Sequence, residues 1–216
     1  GVPFSDPMAD GPTIQRSSER ALARGAGLTW VLEAVRAFRE RDADTPVVLM
    51  GYLNPVEIRG ADRFAREAAG AGIDGLLLVD LPPEESPEFR DAFAAHGVAL
   101  ILLASPTTTD ARLRLLLDNA QGYLYYVSFA GVTGASERLD ARAASGHLRK
   151  IRVDSPVPVV AGFGIRDAAS AAAMAVDADG VVVGSALVSV MAEADGPTDA
   201  AARAAAFLVP LRAALG

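Results

Sequence analysis

The sequence predicts an α/β protein in which parallel strands alternate with helices. Six short apolar runs lack the polar alternation of a half-exposed strand, which is typical of strands buried on both faces. The predicted strands are Pro46–Tyr52, Gly75–Asp80, Ala99–Leu103, Gly122–Val127, Val157–Ala161 and Gly180–Val183. Successive strands begin 23 to 35 residues apart, and this spacing suits a strand followed by a crossover helix.

Polar or glycine-rich loops follow the carboxyl ends of these strands, and they favour a barrel over an open sheet. The residues concerned are Asn54, Asp80, Ser128, Gly162 to Gly164 and Gly184 with Ser185. An open doubly wound sheet would concentrate such loops at one switch point, whereas a barrel distributes them around its active face. A complete eight-stranded barrel usually needs about 250 residues. We therefore predict one barrel domain over residues 1–216 that supplies strands 3–8 and lacks the first two.

Helical segments lie between and around the strands. They are predicted at Thr13–Arg24, Trp30–Arg41, Asp62–Ala71, Glu84–His96, Asp110–Asn119, about Ala141–Arg152, Asp167–Asp177 and Thr198–Leu215. Thr29 can cap the second helix. The apolar spacing of that helix predicts that Trp30, Val35 and Phe38 face inward, together with Val31 or Leu32.

Composition excludes several classes of function. The net charge is −7 and the pI is about 4.9, which disfavours nucleic acid and anionic membranes as partners. The absence of cysteine excludes disulfides and thiolate catalysis, and two histidines, His96 and His147, leave no histidine-rich metal cluster. We assign both histidines to the surface or to helix ends. We therefore expect a cytoplasmic protein without a metal. The longest apolar runs are far shorter than the ~20 residues of a membrane span, which predicts a soluble protein.

The first fifteen residues leave the backbone few accessible conformations. Gly1–Gln15 contains three prolines, two glycines and two aspartates, which predicts a stiff loop that displays Asp6 and Asp10. From composition alone, helix capping or turn closure would also explain both aspartates. The run has no initiator Met and no signal-peptide pattern, so we expect it to be the interior of a longer protein.

Two glycine-rich turns follow the last two predicted strands. They read Ala161-Gly-Phe-Gly-Ile and Val183-Gly-Ser-Ala-Leu-Val. A helix that begins at Ser185 would direct unpaired amides towards an anion, and barrels often bind phosphate after strands 7 and 8. Each turn alone could be a simple tight turn, but their consecutive placement favours a phosphate site.

Other polar groups near the strand ends are candidates for proton transfer or ligand contact. The loop Ser128–Ser136 suits a mobile lid that offers the Thr133 hydroxyl and the Gly134 amide, although a loosely ordered connector has the same composition. Asp80 is a candidate acid or base, whereas Glu84 and Glu85 follow two prolines and are assigned to the acidic first turn of a helix.

Four tyrosines lie near the predicted strand ends. Tyr123 and Tyr125 should point to one face of their strand and Tyr126 to the other, because side chains alternate along a strand. Together with Tyr52 they could sandwich a flat ligand or fill the core.

Six motifs in this order resemble the α subunit of tryptophan synthase: GVPFSDPMADGPTIQ, GYLNP, LLLVDLPPEES, YVSFAGVTGA, GFGI and GSALV. The resemblance covers essentially the whole chain. It implies a (β/α)8 TIM barrel and a carbon–carbon lyase of L-tryptophan biosynthesis, which cleaves indole-3-glycerol phosphate to indole and glyceraldehyde 3-phosphate without a cofactor of its own. It also implies a β-chain partner that carries pyridoxal phosphate and receives indole through a tunnel, in an α2β2 heterotetramer.

The resemblance also assigns roles to individual residues. Asp10 matches the catalytic aspartate that binds the indole N–H and stabilises the positive charge of the intermediate, and Thr133 matches the lid threonine that orients it. Tyr125 and Phe163 match residues that line the substrate pocket. Four residues match the family's phosphate contacts: Gly134, Gly164, Gly184 and Ser185. The resemblance also implies a partner-facing surface at Pro3 and Asp6, with Tyr52 and Asn54 near it.

One expected group falls outside these residues. The family's second catalytic residue is a glutamate that should precede Gly1 by two positions, and loss of such an acid–base catalyst typically costs 10²–10⁴-fold in rate. A non-catalytic α-like protein that binds and modulates a β chain is therefore an alternative. A third possibility, another phosphate-binding barrel such as an isomerase, leaves the motifs Ser5–Gly11 and Ala130–Gly134 unexplained.

Overall fold

The computed structural model describes residues 1–127, 135–162 and 164–216, and for residues 135–144 it describes the helical backbone alone. Within these ranges the strands are β1 Val48–Gly51, β2 Gly75–Leu78, β3 Ala99–Ala104, β4 Leu124–Val127, β5 Val159–Gly162 and β6 Gly180–Val181. The helices are α1 Pro12–Ala23, α2 Leu28–Arg39, α3 Leu53–Arg59, α4 Ala61–Ala71, α5 Ser86–Ala94, α6 Asp110–Asp118, α7 Ala135–Asp154, α8 Ala168–Ala175, α9 Ser185–Ala192 and α10 Pro197–Ala213. Among these helices, none combines the length and the apolar character needed to cross a membrane.

The chain divides into two compact units. The first comprises Gly1–Leu102 with Ala120–Gly122, and the second comprises Leu103–Asn119 with Tyr123–Gly216. The prediction of a single barrel domain over residues 1–216 stays a prediction.

The first unit is built on parallel pairing of β1, β2 and the beginning of β3. Val48 of β1 lies opposite Gly75 of β2, and Gly75 lies opposite Ala99 of β3. All four residues of β2 are buried, as expected for an apolar strand that is covered on both faces. Helices α4 and α5 pack together through Phe64 and Phe93, whose rings meet edge to face with centroids 5.9 Å apart.

The opening segment is tied to the edge of this sheet. The Val2 amide donates to the Met50 carbonyl at 2.8 Å, and the Val2 side chain lies against Gly51, where an added Cβ would stand 3.0 Å from Val2 Cβ. The absence of a side chain at residue 51 lets the first residues run close beside the end of β1.

Parallel pairing also organises the second unit. Leu124 of β4 lies opposite Val159 of β5, and Val160 of β5 lies opposite Gly180 of β6. A small apolar cluster of Ile165, Ala171 and Leu211 holds α8 and α10 together. Val181 of β6 packs against this cluster, so β6 lies beside α8.

All six predicted strands are present, with ends that differ by three residues or fewer. The helix boundaries are less accurate. Helix α2 begins at Leu28 after Gly27, so the predicted Thr29 cap is wrong, and the Thr29 hydroxyl instead accepts a bond from Arg59 Nη1 at 3.1 Å. The inward position of Trp30 is also wrong, because its side chain is 57% exposed.

The structure differs from the predicted helices at three further points. Helix α3 was not predicted; it is seven residues long and is separated from α4 by Gly60, which adopts a φ of 86°. Helix α7 begins at Ala135, earlier than the predicted Ala141. Glu84 and Glu85 lie in the turn before α5, which begins at Ser86, so they are not in its first turn.

Candidate active site

Asp10 is held by the backbone of the opening loop. The Asp10 amide donates to the Pro7 carbonyl at 3.0 Å and the Met8 amide donates to the Asp6 carbonyl at 2.8 Å. The Asp10 carbonyl accepts from Gln15 Nε2 at 2.9 Å. The N-cap of α1 is Gly11, with no side-chain cap, so helix capping does not account for Asp10. Its carboxylate is half-buried and remains available for chemistry.

Tyr52, which follows β1, binds the Asp10 carboxylate. Its hydroxyl donates to Asp10 Oδ2 at 3.0 Å and accepts from the Ala9 amide at 3.0 Å. The Tyr52 ring is 4% exposed and stacks on Phe4 with centroids 5.2 Å apart. Burial raises the pKa of Tyr52 to about 12, with a further contribution from the Asp10 carboxylate. The phenol is therefore a neutral hydrogen-bond donor at physiological pH.

Asp80, the sequence candidate for a second acid or base, has a structural contact in the same unit. One of its oxygens accepts from the Leu53 amide at 2.7 Å, at the first residue of α3. Because the first amides of a helix lack intrahelical partners, this bond caps α3. The Asp80 carboxylate thus helps to place Asn54, whose side chain is exposed on α3.

In the second unit, the Tyr125 phenol lies against the backbone of Gly162, where any Cβ would overlap it. Burial raises the pKa of Tyr125, and the neighbouring Tyr123 adds to this effect. Tyr126 points to the opposite face, where its hydroxyl lies 3.3 Å from His147 Nδ1, so the predicted alternation is confirmed for Tyr125 and Tyr126. His147 is half-buried against Tyr126, and its assignment to the surface or a helix end is wrong.

The predicted phosphate residues lie at two exposed positions of the second unit. Gly164 adopts a φ of 58°, a left-handed conformation that favours glycine. Helix α9 begins at Ser185 with Gly184 as its N-cap and without a side-chain cap. The first amides of α9 are therefore free of a capping side chain and can receive an anion.

Some predicted residues cannot be placed. Thr133, Gly134 and Phe163 lie outside the described residues. Over the ranges that are described, no group of three or more His, Cys, Asp or Glu side chains is arranged to hold a metal ion.

The arrangement of strands, helices and polar loops is one that known enzymes share. Parallel strands joined by crossover helices, with polar groups beyond the carboxyl ends of the strands, are characteristic of α/β-barrel enzymes. The family model described as "Tryptophan synthase alpha chain" matches residues 1–215. The chain therefore belongs to the tryptophan synthase alpha chain family, and with it to the lyases of tryptophan biosynthesis.

Individual relatives are similar over nearly the whole chain. The tryptophan synthase alpha chain of Xanthomonas oryzae pv. oryzae (strain MAFF 311018) is 72% identical over 215 residues, which are 100% of this chain and 80% of that protein. The corresponding protein of Xanthomonas campestris pv. campestris (strain B100) is 70% identical, over 100% of this chain and 79% of that protein.

Solved structures confirm the predicted fold class. Tryptophan synthase subunit alpha from Legionella pneumophila str. Paris matches with a TM-score of 0.90 and 44% identity, over 100% of this chain and 79% of that one. A chain from a structure of the tryptophan synthase a2b2 complex of Pyrococcus furiosus matches with a TM-score of 0.89 and 38% identity, over 98% and 84%. The fold is thus that of the α/β TIM barrels of this family.

Proposed function

We propose that this chain acts as a tryptophan synthase α subunit and cleaves indole-3-glycerol phosphate by a retro-aldol reaction to indole and glyceraldehyde 3-phosphate. The observation that carries the proposal is the Asp10 carboxylate, which is held by the Tyr52 hydroxyl at 3.0 Å and is not used to cap α1. The family match over residues 1–215 supports this reaction class. No observation favours a non-catalytic α-like protein or an isomerase.

The role of Asp10 follows from the charge that the reaction develops. Protonation of the indole ring at C3 gives a cationic intermediate, and the bond from C3 to the glycerol chain then breaks as the adjacent hydroxyl loses its proton. A carboxylate that accepts the indole N–H stabilises this positive charge where it forms. Asp10 supplies that carboxylate. The two proton transfers require an acid or base in addition to Asp10.

The phosphate group of the substrate is proposed to bind amides of the second unit. Gly164 and Gly184 present backbone without side chains, and Ser185 begins α9 without a cap. A dianion at this helix terminus is favoured both by the free N–H groups and by the helix dipole. Tyr125 is proposed to line the pocket for the rest of the substrate. By the family resemblance, Thr133 is proposed to act in the lid, Gly134 in the phosphate site and Phe163 in the pocket.

The protein partner is proposed to be a tryptophan synthase β chain, which would carry the pyridoxal phosphate, in an α2β2 assembly. Support comes from the exposure of Asp6 and Asn54 in the first unit, with Pro3 half-buried. Two apolar side chains that the sequence analysis did not assign to the partner surface are also exposed in this unit: Met8 is 86% exposed and Ile58 is 83% exposed. A partner that covered them would bury apolar area, and the buried cores of interfaces are more apolar than the rest of the surface.

The test is release of indole from indole-3-glycerol phosphate by the whole purified protein, with and without a β chain. Asp10→Asn keeps the shape of the side chain but removes its charge, so kcat should fall by about 10²–10³-fold. Asp62→Asn is the matched control, because Asp62 is exposed on α4 and pairs with Arg66 at 3.3 Å. Failure of the wild-type protein to release indole in both conditions would overturn the proposed function. Full activity of Asp10→Asn would overturn the role of Asp10.

A further inference from the structure

Tyr52 has a contact that its sequence assignment did not anticipate. The resemblance placed Tyr52 on the partner surface, yet its ring is 4% exposed and its hydroxyl binds within the chain. We propose that Tyr52 is a positioning residue for the lyase reaction: its hydroxyl holds Oδ2 of Asp10, so that Oδ1 is presented to the indole N–H. This inference rests on the proposed function of Asp10.

The direction of the hydroxyl proton follows from its two partners. The Ala9 amide is a donor and lies 3.0 Å from the Tyr52 oxygen, so that oxygen must accept there. The only proton of the hydroxyl is then directed to Asp10 Oδ2, also at 3.0 Å. A buried phenol with a pKa of about 12 keeps this proton over the working range of the enzyme. Tyr52 therefore acts as a fixed donor rather than as an acid.

The Tyr52 ring is itself held in place. It follows β1, is stacked on Phe4 with an interplanar angle of 29°, and is buried. The opening segment contacts this end of the sheet at two places: the Val2 amide binds Met50, and Ala9 and Asp10 bind Tyr52. The Tyr52 hydroxyl is therefore a fixed donor to the Asp10 carboxylate, and it does not belong to the loop that carries Asp10.

Removal of the hydroxyl should leave the loop intact. The Asp10 backbone has its own partners, since its carbonyl accepts from Gln15 and its amide donates to Pro7. The Ala9 amide belongs to an exposed residue, so water can replace the lost acceptor. Tyr52→Phe should thus free the carboxylate to rotate without unfolding its surroundings, and we expect an effect on turnover rather than on substrate binding.

The experiment measures kcat and KM for indole release by the whole protein with Tyr52→Phe. A hydrogen bond to a charged group typically contributes enough for about a ten- to hundred-fold fall in kcat, and KM should stay within about twofold of wild type. Tyr126→Phe is the matched control, because it removes another buried hydroxyl that binds a side chain, His147 at 3.3 Å. It should leave kcat unchanged. Wild-type kcat in Tyr52→Phe would overturn the inference while leaving the role of Asp10 intact.

A double-mutant cycle with Asp10→Asn distinguishes positioning from a structural effect. If Tyr52 acts through the carboxylate, adding Tyr52→Phe to Asp10→Asn should cause little further loss of kcat. Losses that multiply fully would show that Tyr52 acts independently of Asp10 and would overturn the inference. An Asp10→Asn variant with full activity would instead remove the proposed function on which the inference rests.

Discussion

The phenol of Tyr125 on β4 lies directly over the backbone of Gly162 on the neighbouring strand β5. In the parallel register, Tyr125 pairs with Val160 and Val127 pairs with Gly162, so Gly162 is the diagonal neighbour of Tyr125 on the same face. A side chain at residue 162 would occupy the space of the ring. The position of Tyr125 therefore depends on the absence of a Cβ on the adjacent strand.

Gly162→Ala should accordingly disturb both stability and substrate binding. Overpacking of this kind typically costs about 1–3 kcal/mol, and displacement of Tyr125 should raise KM for indole-3-glycerol phosphate. Urea denaturation and steady-state kinetics measure the two effects. The control is Gly146→Ala on α7, where an added Cβ meets nothing within 4 Å and alanine favours the helix. Unchanged stability and KM in Gly162→Ala would contradict the prediction.

A negative charge at the start of α9 should weaken phosphate binding. Ser185→Asp places a carboxylate at the uncapped first turn of this helix, where it would repel the substrate phosphate and take up the free amides. We expect KM for indole-3-glycerol phosphate to rise by at least about tenfold. Thr198→Asp in the first turn of α10 adds the same charge to another helix start. An equal rise in KM for both variants would indicate a general charge effect instead of a phosphate site.

A charge on α3 should weaken binding to the β chain. Ile58 is 83% exposed and lies about one helical turn from Asn54, so Ile58→Glu would bring an unpaired carboxylate into the proposed interface. We expect the dissociation constant, measured by isothermal titration calorimetry, to rise by at least about tenfold. Val153→Glu is the control, since Val153 is 84% exposed on α7. A loss of affinity in Val153→Glu alone would place the interface elsewhere.

The capping box of α8 should give a pH-dependent contribution to stability. Asp167 accepts from the Ser170 amide at 2.8 Å, and this bond, together with the Ser170 hydroxyl, lowers the pKa of Asp167 below its ordinary value of 3.8. Because the folded state favours the charged form, the stabilisation is complete above pH 3.8 and is lost as the pH falls through the lowered pKa. The melting temperature of Asp167→Ala should therefore lie below that of wild type at pH 7.

The melting-temperature difference between Asp167→Ala and wild type should shrink below about pH 4 as the carboxylate is protonated. Asp167→Asn is a further control, because asparagine can accept the same bond without a charge. A difference that stays constant from pH 7 to pH 2.5 would show that the charge of Asp167 does not contribute.

The strands of this protein were predictable because their signal is local. A strand such as Gly75–Leu78, with all four residues buried, must be apolar throughout, and this pattern is visible without knowledge of its neighbours. Helix α3 was missed because seven residues span too few turns to show a helical period. Trp30 was misplaced because an aromatic residue at the edge of an apolar stripe is not required to face the core.

The candidate site shows the same division between local and long-range information. Turn and capping preferences act over a few residues. They account for the restricted loop around Asp10, the start of a helix at Ser185 and the turn at Gly164. The hydrogen bond between Tyr52 and Asp10 joins residues 42 positions apart, and no spacing in the sequence predicts it. The same is true of the contact between Tyr125 and Gly162.

The sequence by itself thus determined the succession of strands and helices, the display of Asp10 and the family to which the chain is similar. Only the tertiary structure showed that the Tyr52 phenol holds Oδ2 of Asp10. It also showed that a side chain at residue 162 would overlap Tyr125. The physical reason is that hydrophobic periodicity and turn chemistry are encoded by neighbouring residues. Contacts between distant side chains depend instead on the register of β4 with β5 and on the packing of the opening segment against β1.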